Sequence, residues 1–155
     1  MIHLEMSTMI YKPIQQVFDY VSTPENDVQW QYGTLATARL HKGVGKIGTF
    51  FRSIGHLMGH RIQSTFEVIE YEANSEYGFK SLSGPLHSQT SYTFKAADGG
   101  TRITVSTRAH VVDFFHMNEH LLGSKIKKQL KENLTLLKNL LEEKPLGIEI
   151  RPLAV

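Results

Sequence analysis

A series of strand-like segments that closes on one long amphipathic helix is the feature that most limits what this chain can become. From Met117 to Glu143 the apolar residues Leu122, Ile126, Leu130, Leu134, Leu137 and Leu141 step by three and four along a single face. About 27 helical residues at 1.5 Å each span about 40 Å, more than is needed to plug one end of a small domain. Such a helix must lie along a surface, and the only surface available is a sheet built from the preceding strands. If that sheet curves around the helix, the space between them is either a closed core or a cavity.

The preceding segments fit that picture. Ile2 to Ile10 alternates loosely, with Ile2, Leu4 and Met6 on one parity, and reads as a strand. Lys12-Pro13 opens a short helix with Val17, Phe18, Tyr20 and Val21 on its apolar face, because proline is well tolerated in a first turn. Ser22-Thr23-Pro24 stops it, and Thr23 is placed to cap a second short helix carrying Val28 and Trp30. From Thr34 onward the period is two, predicting strands at 34–41, 48–54, 61–71, 77–83, 88–96 and 101–111. Asp98-Gly99-Gly100 is a strong hairpin signal, and the short connections throughout require antiparallel neighbours. The expected class is α+β: a curved seven-stranded antiparallel sheet around a long C-terminal helix, with two short helices after the first strand. Residues 1–144 are expected to form a single domain, followed after Lys144-Pro145 by an apolar tail, 145–155.

Composition removes several classes of function. The chain has 155 residues and a net charge of +2, too small to argue for a nucleic-acid partner. Cysteine is absent, which excludes disulfides, thiolate chemistry and cysteine-ligated metals. The first 30 residues carry no basic-then-apolar leader pattern. No apolar stretch approaches the ~20 residues that span a bilayer. No stable membrane insertion and a cytoplasmic setting are therefore expected, with a homodimer left open.

The order of elements resembles the helix-grip fold of the START-related (SRPBCC) superfamily, which includes pollen-allergen-like proteins, polyketide cyclases and lipid carriers. The segment from Ile10 to Trp30, IYKPIQQVFDYVSTPENDVQW, is similar to that family's opening helix pair, and Leu134 to Glu143, LTLLKNLLEE, to its final helix. The resemblance covers about residues 2 to 143. Gly43-Val-Gly-Lys-Ile-Gly48 looks like the glycine-rich loop of pollen-allergen-like members. It lacks both the phosphate-loop spacing and a following helix, so it reads as a structural hairpin. The resemblance implies a pocket for a small molecule.

Strand parity nominates the residues that would wall such a pocket. On the last strand Ile103, Val105, Thr107, Ala109 and Val111 face inward, opposite Arg102, Thr104, Ser106, Arg108 and His110. The same reasoning puts Ser64, Phe66 and Val68 inside, and likewise Tyr92 and Phe94; the strand at 48–54 splits less clearly, with Phe50, Arg52 and Ile54 opposing Thr49, Phe51 and Ser53. Read from the residues alone, these side chains either fill a core or line a cavity. With the resemblance, Phe50, Phe66, Phe79, Tyr92 and Phe94 are the expected apolar walls. Leu122 and Ile126 supply the helix side, Trp30 borders the entrance, and Arg52, Ser81 and Thr107 are the polar anchors. The expected ligand is one small apolar or amphipathic molecule, with no cofactor and no metal.

Other motifs are weaker. His116-Met-Asn-Glu119-His120 spells the H-x-x-E-H of inverted zinc peptidases, but three fixed letters arise easily in a histidine-rich chain. His56 and His60 fall in a predicted strand end and turn, where a spacing of four brings no two rings together. Lys125, Lys127, Lys128 and Lys131 read as the solvated side of the long helix, since no aromatics interleave them. Gly123 marks close packing or room for a ligand. One alternative is a cyclase- or dehydrase-like enzyme, in which Tyr92 and Arg52 polarise a carbonyl and His56 or Glu67 is the base. Another is a protein-docking module without a pocket.

Overall fold

The computed structural model describes residues 1–40, 46–57, 59–111 and 118–143. The tail at 145–155, His116 and residues 43–45 of the glycine-rich loop lie outside these described residues. Strand β1 (Ile2–Ile10) leads into α1 (Ile14–Val21), a 3-10 turn (Pro24–Asn26) and α2 (Asp27–Trp30). Six strands follow: β2 (Thr34–Arg39), β3 (Phe50–Leu57), β4 (His60–Glu72), β5 (Glu76–Ser83), β6 (Leu86–Ala97) and β7 (Gly100–Val111). The long helix is α3 (Glu119–Glu142). All seven strands form one sheet in the order β1-β7-β6-β5-β4-β3-β2, and every neighbouring pair is antiparallel. This is the helix-grip architecture that the element order implies.

Local chemistry explains the turns. The β6–β7 hairpin uses Asp98 and Gly99 at φ 43° and 80°, the paired positive angles of a tight two-residue turn. Pro13 stands at the N-cap of α1 without a side-chain cap. Thr23 does not cap as its type predicts; its hydroxyl donates back to the Asp19 carbonyl at 2.7 Å. Asn118 caps α3, its Oδ1 accepting from the Leu121 amide at 2.7 Å. Register slips between Thr34 and Ala36, and twice along β4, add local twist where the sheet must curve.

Helix α3 buries the stripe that its spacing predicts. Leu122, Ile126, Leu134, Leu137 and Leu141 are buried, while the four lysines at 125, 127, 128 and 131 are exposed. The apolar interior is nevertheless divided in two. The larger cluster gathers Phe18, Trp30, Phe51, Phe94 and Ile103 around the C-terminal half of α3, at Leu134, Leu137 and Leu141. The smaller joins Ile2 and Ala109 to Leu122 and Ile126. Leu130 packs against both.

Gly123 sits in the smaller cluster. A Cβ there would meet Ile2 Cγ1 at 3.7 Å, an ordinary van der Waals contact. The glycine therefore meets no steric demand, and its backbone entropy is a pure cost. Gly123→Ala is expected to raise unfolding stability by about 1 kcal/mol, read as a higher urea midpoint with an unchanged slope. A lower midpoint would mean that the helix needs the missing Cβ.

Candidate functional site

Between the two clusters the sheet and α3 stand apart around a cavity of about 230 Å³. Its inner wall is aromatic. Phe51 and Phe66 stack at 5.2 Å and 22°, and Phe79 meets each edge-on at 5.3 Å. Ile62, Leu86 and Ala109 continue the sheet side, and Ile126 and Leu130 supply the helix side. Gly33 and Gly55 shape the rim: a Cβ on Gly55 would lie 2.6 Å from the Gly33 carbonyl oxygen. That close approach lets the His56 amide donate to Gly33 at 2.8 Å, tying the loop after α2 onto β3. Tyr32, 64% exposed, and exposed His56 border the open side.

One part of the wall is polar and built from two helices. Gln31 Nε2 donates to the Tyr92 hydroxyl oxygen at 3.2 Å. Asn133, buried on α3, donates to Gln31 Oε1 at 2.8 Å and accepts from the Tyr32 amide at 2.6 Å. Asp27 lines the same cavity. Thr90 and Thr107 hydroxyls share a hydrogen bond of 3.1 Å on the sheet side. A mostly apolar hollow with a few placed polar groups is the usual composition of a small-molecule site.

The ionisation of these groups follows from burial. Desolvation, reinforced by the negative charge of Glu25, raises the Asp27 carboxyl well above its ordinary range. Burial likewise raises the Tyr92 phenol, the Gln31 hydrogen bond pulling it partly back and the Asp27 charge adding to the rise. Tyr77, stacked on Tyr92 at 6.3 Å, is raised well above its usual value first by burial and then by Asp27.

The sequence family described as polyketide cyclase / dehydrase and lipid transport matches residues 1–142. The chain belongs to that family. Solved structures share its helix-grip fold at low identity. A START superfamily protein from Mycobacterium smegmatis superposes with a TM-score of 0.80 at 12% identity, covering 92% of this chain and 99% of that one. The protein TTHA0849 from Thermus thermophilus gives 0.77 at 15% identity, covering 88% and 94%. The Zhui aromatase/cyclase from Streptomyces sp. R1128 gives 0.73 at 12%, covering 90% and 93%. No curated protein sequence matches the chain.

Within this family fold, the residues nominated from sequence divide. Phe66, Phe79, Tyr92, Thr107 and Ile126 meet at the cavity. Phe50 and Arg52 do not: the strand parity of β3 is the reverse of the expected one. Phe51 pairs directly with Phe66 across β3–β4, so it shares the inner face, and Arg52 is exposed outside. Ser81 is spent locally, donating to the Leu86 carbonyl at 3.1 Å and accepting from the Ser88 amide at 2.9 Å beside the Gly84-Pro85 turn. Phe94 packs edge-on to Phe18 at 5.1 Å in the larger cluster, and Leu122 is sealed beneath Ile2 and Ala109. Trp30 is 1% exposed behind Tyr92 rather than at the entrance.

The acid–base candidates move as well. Glu67 pairs with Lys80 at 3.8 Å away from the cavity, whereas His56 lies at the end of β3, as expected, and borders the cavity. Gly59, just before β4, holds a positive φ of 83°. Glu119 binds the terminal ammonium of Met1 at 2.8 Å. Among the described residues no cluster of three or more metal-ligating side chains is present.

Asp27, Gln31, Gln129 and Asn133 are among the cavity residues that sequence reasoning missed. Their signal is two spacings of four, one on each helix, and it is readable only once α2 is known to face α3. The raised Asp27 carboxyl has a stability consequence whose sign is fixed. The native state holds this proton at pH values where the unfolded chain has lost it, so stability falls as pH climbs from the ordinary aspartate range through the native titration. Asp27→Asn removes that loss. The melting temperature of Asp27→Asn minus that of the natural chain is expected to be near zero at pH 3.5 and to grow toward pH 8. A difference independent of pH would contradict the assignment.

Proposed function

We propose that this protein binds one small amphipathic molecule between sheet and α3, its apolar body on the Phe51–Phe66–Phe79 wall and its polar end toward Tyr92, Gln31 and Asp27. The observation that carries this reading is the gradient within a single cavity of about 230 Å³, aromatic on the sheet and polar where α2 meets α3. An apolar cavity of about 150 Å³ suffices to hold benzene, so the hollow suits one or two rings or a short chain. Family membership supports the reading, since its description joins lipid transport to cyclase chemistry. The docking-module alternative expects no pocket and loses ground for that reason.

A cyclase- or dehydrase-like activity is the second reading. It is favoured by two ionisable side chains, Asp27 and His56, on the wall of the same cavity. Orientation of a folded substrate would then supply much of the rate. Release of an unaltered ligand after incubation separates binding from turnover.

Ile62→Trp tests the site itself. Ile62 lines the cavity from the sheet side, so an indole in its place takes up part of the hollow. Fluorescence titration with naphthalene is expected to show saturable one-to-one binding to the natural chain and at least tenfold weaker binding to the variant. Equal affinity in both, or no saturable binding, would contradict the proposal.

A further inference from the structure

Tyr92 lines the cavity between sheet and helix; Tyr77, stacked on it, lines a second hollow of about 140 Å³ between the end of α1 and strands β2, β4 and β5. Among the described residues the two hollows share no lining residue. The floor of the second carries buried Thr49, Val68 and Tyr77, and its rim carries exposed Asp19, Arg39 and Lys46. Both sides are held by the chain itself. The Thr49 amide donates to the Lys46 carbonyl at 3.3 Å, and the Gly48 amide to the Val68 carbonyl at 2.8 Å. At the end of α1, Asn26 Nδ2 donates to the Tyr20 carbonyl at 3.1 Å, beside the Thr23 hydroxyl on Asp19. Walls fixed in this way leave little ordering for a ligand to bring about.

Three donors around this hollow are unspent. Tyr77 is 3% exposed, and its hydroxyl makes no hydrogen bond among the described residues. Glu25 takes only the Nε–H of Arg39, with both carboxylate oxygens at 3.1 Å, so the two Nη groups are without a hydrogen bond among them. Lys46 Nζ lies 5.6 Å over the Tyr71 ring and forms no ion pair with a described carboxylate. A buried phenol is nearly always partnered, so one that opens into a hollow beside two cations marks where an acceptor belongs. Guanidinium, ammonium and phenol stand on three separate segments. A tetrahedral oxyanion presents an oxygen to each, and the guanidinium fork matches phosphate geometry. Asp19 and Glu25 balance the two cations, so the hollow is selective by geometry more than by net charge.

We propose that this hollow is a second binding site, in which Arg39, Lys46 and the Tyr77 hydroxyl hold one phosphate group, either as the free ion or as the end of a phosphate monoester. A cavity of about 150 Å³ holds benzene, and a phosphate group is smaller than that ring. The open rim leaves a way out for an ester's organic part. The site is independent of the small-molecule reading of the larger cavity.

Amide shift titrations of the labelled chain at pH 8 and constant ionic strength test this, with inorganic phosphate, glycerol 3-phosphate or acetate replacing chloride. Saturable shifts are expected at Ser22, Arg39, residues 46–49 and Tyr77 with at least one of the two phosphates. The tighter of them tells the free ion from the ester, and acetate does not saturate in the same range. Arg39→Gln is expected to weaken binding about tenfold, the worth of a hydrogen bond to a charged group. Tyr77→Phe, which keeps the ring on Tyr92, weakens it several-fold, and Asp19→Asn strengthens it several-fold by removing a rim carboxylate. The exposed lysines of α3 are the rival place for an anion, and the double change Lys127→Gln, Lys128→Gln is expected to leave the affinity unchanged. No saturable binding of either phosphate, shifts centred on α3, acetate bound as well as phosphate, or an affinity unmoved in a natively folded Tyr77→Phe would each overturn the site. Naphthalene binding in the larger cavity, read separately, is untouched by any of these results.

Discussion

The contact between the leucine stripe of α3 and the concave face of the sheet governs everything else in this protein. Leu134, Leu137 and Leu141 seat one half of the helix in an aromatic core, and Leu122 and Ile126 seat the other half against Ile2 and Ala109. A helix of 24 residues is rigid on this scale. Anchored at both ends, it cannot sink into the sheet midway, where small residues such as Ser64, Ser88 and Thr90 stand beside the aromatic wall. The hollow is thus a consequence of two good packing contacts separated by a stretch with too little side-chain volume to fill it.

What the hollow can do follows from how its edges are closed. On the sheet side the Phe51, Phe66 and Phe79 rings hold one another at centroid distances of 5.2 to 5.3 Å, giving a firm apolar surface. On the helix side α2 and α3 meet through amides, and the Gln31–Asn133 hydrogen bond of 2.8 Å fixes their separation. Tyr92 joins the two regimes, with its ring among the aromatics and its hydroxyl on Gln31. The same burial that seals this junction leaves Asp27 without a partner among the described residues and pushes its carboxyl toward the neutral form. Stability conceded at Asp27 is the kind of local conflict found at functional positions.

Much of this architecture is legible in the sequence. The stripe on α3 and the strict alternation of β7 are unambiguous because each has one apolar and one polar face, and the Asp98-Gly99 turn announces its hairpin. β3 is not legible in this way. Its run of Phe50, Phe51, Arg52, Ser53 and Ile54 offers apolar residues on both parities, so only the pairing of Phe51 with Phe66 identifies the inner face. Ser81 and Phe94 have the right parity, yet the Ser81 hydroxyl is taken up by Leu86 and Ser88, and Phe94, one step along the strand beyond Tyr92, packs on Phe18. Distance along a strand, unlike facing, is not encoded by a period of two. Asp27 is the hardest case. In sequence it reads as a solvated first-turn acid; its raised carboxyl comes first from desolvation in the folded chain and then from the charge of Glu25, two residues before it.

The most direct test is where a bound molecule lies. Intermolecular nuclear Overhauser effects should be recorded between 2-acetylnaphthalene and the labelled protein. The account predicts contacts from the ring protons to Phe66, Phe79 and Ile126, and from the methyl ketone toward Tyr92. Contacts confined to exposed apolar residues such as Leu35, Ile47 or Leu140 would show that the hollow between sheet and helix is not where this protein receives its ligand.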